Sequence, residues 1–80
     1  MTSMWQEERG KPYYRFQTDD KDIADKMKRR NKFELIGWGV NCELWIYQVS
    51  FSRTDIAKKV FETLIGKKSN FDSKADLFYS

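Results

Sequence analysis

Eighty residues bound the chain to one domain, and 16% aromatic residues argue for a packed fold despite 34% charged ones. A single cysteine excludes an intrachain disulfide. The lack of histidine removes the commonest general base, metal ligand and near-neutral pH switch. The net charge of +3 is small, so where the charges sit matters more than their sum.

Six Phe, four Tyr and three Trp supply the core of this short chain. Each buried ring withdraws roughly 150–250 Å² from water. No run approaches the ~18 apolar residues of a membrane span. The polar start, Met1 to Arg9, lacks the apolar stretch of a signal peptide. With no disulfide framework, these features predict a cytoplasmic protein.

Residues 1–11 read as a flexible lead, with Trp5 as the one side chain able to dock on the body, and residues 12–80 as a single domain. Tyr13 to Thr18 alternate behind Pro12 and predict a strand. The period then changes. Ile23, Ala24 and Met27 fall at helical spacing, with Thr18 or Asp19 as alternative caps, so a helix is expected over 19–31. Its acidic start (Asp19, Asp20, Asp22) and basic end (Lys26, Lys28, Arg29, Arg30, Lys32) complement the helix dipole.

Phe33 to Trp38 predict a second strand and Leu44 to Val49 a third, joined by a turn over 39–42. A second helix is expected over 53–65. Ser52 and Asp55 form a capping-box pattern, Phe51 and Ile56 a hydrophobic staple, and Gly66 a C-terminal stop. Residues 69–80 leave two readings open, a short strand over Leu77–Tyr79 or a frayed tail. The order β-α-β-β-α(-β) defines an α+β two-layer sandwich: an antiparallel sheet covered on one face by two helices. With the last strand present it is the ferredoxin-like order.

Two features bear on function. Five of the residues from Lys26 to Lys32 are Lys or Arg and none is acidic, while the rest of the chain is net acidic. Such a patch suits phosphates or an acidic protein surface. It equally suits a solvated helix end matched to its dipole. If Tyr14, Phe16, Phe33, Leu35, Leu44 and Ile46 face the helices, the opposite sheet face presents Tyr13, Arg15, Trp38, Trp45 and Tyr47. An aromatic face of that kind is a protein-interface signal. It also resembles in chemistry the platforms that stack unpaired bases. The RNA-recognition sheet signature is missing from Glu43 to Val49.

The remaining chemistry is thin. Asp22 and Asp25 lie one turn apart but match no metal-loop spacing. Cys42 has no histidine to activate it and reads as filler beside the turn. Glu34 and Glu43 flank the same pair of strands as ordinary surface acids. No phosphate-cradling glycine loop, dinucleotide fingerprint or paired-cysteine site occurs. The expectation is a non-catalytic domain without cofactor or metal. It binds another protein, or a second copy of itself as a homodimer, as an adaptor, regulator or inhibitor. The alternative is nucleic-acid binding through the Lys26–Lys32 patch.

Overall fold

A computed structural model describes residues 1–39 and 43–80. In chain order it contains β1 (Ser3–Gln6), β2 (Tyr13–Thr18), α1 (Lys21–Lys28), β3 (Glu34–Trp38), β4 (Trp45–Ser50), α2 (Thr54–Ile65), β5 (Asn70–Asp72) and β6 (Leu77–Tyr79). Among the described residues the strands form one antiparallel sheet in the order β3-β4-β2-β1-β6-β5. The α+β architecture with its antiparallel sheet and two helices is therefore as expected. The order differs, because β1 and β5 are added to the three expected strands and to the C-terminal strand that the sequence leaves open. β1 sits beside β2, inside the sheet.

The strand registers explain the layering. One row of cross-strand partners runs Leu35, Tyr47, Phe16, Met4, Phe78, Phe71 from edge to edge. The neighbouring row runs Glu34, Gln48, Arg15, Trp5, Leu77, Asp72. Successive side chains along a strand alternate faces, so the first row is apolar throughout and the second is mixed and polar at both ends. The apolar row meets the helices. Met4, Phe16 and Tyr47 join Met27 of α1 and Ala57, Phe61 and Leu64 of α2 in one core. Phe16 is its hub, with ring centroids 5.0 Å from Phe33, 5.7 Å from Phe61 and 6.2 Å from Phe51.

Residues 1–11 are not a flexible lead throughout. Ser3–Gln6 pairs with β2 on one side and β6 on the other, and Met4 is fully buried. Thr2 and Thr18 close this end of the core through a buried hydroxyl–hydroxyl hydrogen bond of 2.8 Å. Of the two readings of the C-terminal stretch, the strand is found, and β5 pairs beside it.

The first helix is shorter than 19–31. Asp20, rather than Thr18 or Asp19, caps it by accepting a 2.9 Å hydrogen bond from the Asp22 N–H. It ends at Lys28, and Arg30 turns back onto the Met27 carbonyl. α2 begins at Thr54 with Arg53 as its cap residue and no side-chain capping bond, so the Ser52–Asp55 box does not form. The Tyr14 hydroxyl instead holds the first turn through Thr54 Oγ1 at 2.7 Å. Gly66 stops the helix as expected. Its φ of 74° is left-handed, where glycine has no Cβ penalty, and its N–H donates to the Glu62 carbonyl. The turn expected over 39–42 and the position of Cys42 fall largely outside the described residues.

Candidate functional site

The five residues expected on one aromatic face divide between two faces. Tyr13 and Arg15 lie on the face away from the helices, opposite Ser50 and Gln48. Trp45 and Tyr47 lie on the helix side, opposite Thr18 and Phe16. Tyr47 is buried and Trp45 packs against the core, while Ile46, expected inward, takes the other face. The reason is a competition within β4. Turning Trp45, Tyr47 and Val49 inward buries three large apolar groups. The opposite choice would bury Gln48, whose amide then needs partners in the core.

Tyr13 and Arg15 do not form an aromatic platform. Arg15 Nη2 is paired with Glu7 at 2.6 Å, and its Nε is buried without a hydrogen-bond partner. Trp5 is half-buried between Arg15 and Leu77 on the flanking strands.

Trp38 belongs with Trp45 because of a bulge. Leu35 is paired with Tyr47 and Gly37 with Ile46, so β3 spends one extra residue, Ile36, against β4. In a regular strand Leu35 and Trp38, three residues apart, would face opposite sides. The bulge resets the alternation and puts both on the helix side. Glycine inside an apolar strand is the signal that could have found it, and Gly37 stands beside the extra residue. β3 is also an edge. Among the described residues β4 is its one partner strand, and Leu35 (42%), Ile36 (40%) and Trp38 (67%) are exposed.

Beneath this edge runs a groove of about 300 Å³ between α1 and the β3–β4 pair. Phe33, Leu35, Trp45 and Tyr47 form its apolar side, and Lys21, Asp25 and Lys28 rim it from α1. Lys21 and Lys28 are seven residues, two helical turns, apart and so share a flank. Phe33 ties the groove to the core, 6.3 Å from the Tyr47 ring and 5.0 Å from Phe16. Burial raises the Tyr47 phenol above its ordinary range, and the Asp25 carboxylate adds to that by disfavouring a second negative charge.

The basic cluster is dispersed around this region. Lys28 faces the groove, while Arg30 and Lys32 line a second cavity of about 220 Å³ with Phe33, Phe51 and Val60. Lys26 lies two residues before Lys28 on α1, toward the opposite flank. All five cations are exposed, and among the described residues none is within 4.0 Å of a carboxylate. Sequence reasoning placed Leu35 and Ile36 in the second strand, with Leu35 facing the helices, and missed that both are exposed.

Among the described residues, no three His, Cys, Asp or Glu side chains gather as a metal set, and no helix is long and apolar enough to cross a membrane. No protein-family model, curated protein or solved structure matches the chain.

Proposed function

We propose that this chain is a small non-catalytic domain that binds another protein along the β3 edge, as a cytoplasmic adaptor, regulator or inhibitor. One observation carries the reading: Leu35, Ile36 and Trp38 are exposed together on a strand that, among the described residues, pairs on one side alone. An exposed apolar edge is costly to keep, because it templates pairing with other chains. A partner strand would satisfy its outward N–H and C=O groups. Covering a large apolar side chain contributes roughly 1.5–3 kcal/mol, so two or three such residues make a usable anchor. The exposed cations at the end of α1 supply a charged rim that favours an acidic partner.

Selection from a phage-displayed random peptide library tests this. The wild-type chain enriches convergent sequences and Trp38→Asp does not. No convergence, or the same sequences from Trp38→Asp, contradicts the proposal.

A second reading rests on two observations, the five exposed cations without ion pairs among the described residues and the exposed Trp38 ring: binding of unpaired nucleic-acid bases. It requires affinity that falls steeply with salt and is lost in Arg29→Glu/Arg30→Glu.

A further inference from the structure

We infer that the partner segment is acidic and extended, and that it places one bulky apolar side chain in the groove between α1 and the β3–β4 pair. The inference rests on the reading of β3 as a docking edge and specifies what docks there.

Geometry sets the first constraint. A strand added to the free side of β3 alternates its side chains in step with β3, so every second one falls on the helix side, in line with Leu35 and Trp38. That is the side on which the groove opens, between Leu35 and Trp45 below and Lys21 and Lys28 above. Its volume, about 300 Å³, lies at the lower end for ligand pockets. This suits a single anchoring ring or branched chain, and Ala24, Phe33, Leu35, Trp45 and Tyr47 supply its apolar walls. The Ile36 bulge makes β3 irregular, so the added segment is short and relies on its anchor as much as on the backbone ladder.

Charge sets the second. Lys21 and Lys28 flank the groove, and Asp25 is the one carboxylate among its lining residues. Arg30 and Lys32, at the neighbouring cavity that shares Phe33, add positive charge without ion pairs among the described residues, while Glu34 lies on the opposite face of β3. Carboxylates two positions either side of the anchor would share its face and meet Lys21 and Lys28. A second copy of this chain would bring β3, with only Glu34 as an acid, and a second cation cluster. An acidic partner segment is the better complement.

The test uses two capped peptides, acetyl-Thr-Asp-Val-Trp-Val-Asp-Thr-amide and its counterpart with Lys for both Asp, titrated into the full chain and followed by amide and indole NMR shifts. The acidic peptide shifts Leu35, Gly37, Trp38 and the Trp45 indole, and binds about tenfold more tightly than the lysine peptide. Leu35→Arg loses the binding. Lys21→Glu/Lys28→Glu, at two exposed positions, reverses the preference. Equal affinity for both peptides, shifts confined to the face bearing Arg15 and Trp5, or an unchanged preference in the double variant overturns the inference. So does a concentration-dependent shift of the groove without peptide, which would mean self-association. Displacement of both peptides by oligo(dT) from the same resonances likewise overturns it. A peptide-library consensus that is neutral or basic but depends on Trp38 would sink this inference and leave the β3 docking site standing.

Discussion

The two edges of the sheet end the same apolar row, yet they are built differently. At one end Phe71 of β5 is 52% exposed, and at the other Leu35 of β3 is 42% exposed. β5 is three residues long, its neighbours Asn70 and Asp72 are polar, and Phe71 leans on Phe78 at 4.8 Å. Asp72 is occupied by the turn that follows, accepting from the Lys74 and Ala75 N–H groups. A short, polar edge is the ordinary protection against unwanted pairing. β3 has five residues and adds Ile36 and Trp38 to Leu35. Its bulge brings Trp38 over to the groove side instead of hiding it. The difference separates an edge that closes the fold from an edge that offers a surface.

Substitutions sharpen this contrast by separating residues that hold the fold from residues that do not. The largest effect is expected at the centre of the row. Phe16→Ala removes a fully buried ring and should cost about 3–5 kcal/mol in urea unfolding. A loss below ~1 kcal/mol would mean that the core is not centred where the row places it. Asp20→Ala removes the cap of α1, the helix that roofs the groove, and should cost ~1 kcal/mol by the same assay.

The β5 edge is tied down through Glu62, whose carboxylate accepts from both the Ser69 N–H and the Ser69 hydroxyl. The backbone hydrogen bond from Ser69 is the main reason that its carboxyl is held below the ordinary range. A depressed folded-state pKa contributes stability that is present above the unfolded value and lost as pH falls through the folded one. The wild-type protein should therefore lose its advantage over Glu62→Gln on acidification below about pH 4.5, and keep it at neutral pH. A Glu62→Gln difference that is constant with pH would remove the carboxylate's part in fastening β5. The smallest effect on folding is expected at the other edge. Trp38→Ala should change stability by no more than ~0.5 kcal/mol while abolishing peptide capture. A cost near that of Phe16→Ala would make Trp38 a structural residue and dissolve the contrast.

Local signals carried much of the architecture. The alternation in Tyr13–Thr18, the apolar stripe of α2 and the stop at Gly66 rest on residue types whose preferences the final packing agrees with. β1 was not legible, because Ser3–Gln6 is four residues of mixed character whose strand conformation comes from being clamped between β2 and β6. The cap of α1 moved by one residue among adjacent acids, a distinction that only the backbone at Asp20 decides. Trp38, Trp45 and Tyr47 share a face, but it is the helix side and not the one that carries Tyr13 and Arg15. β4 is apolar on both sides, and its face was decided by Gln48 against Val49 in the assembled sheet. The site was legible only in its ingredients, the basic residues and the tryptophans. That Trp38 shares a face with Trp45 depends on the bulge at Ile36.

The most direct test of β3 as the docking edge is hydrogen exchange of the chain alone and with a library-selected peptide. Slowed exchange is expected in the outward amides of β3, with the β5 edge unchanged. Unchanged β3 amides, with protection appearing instead on the face that carries Trp5 and Arg15, would contradict it.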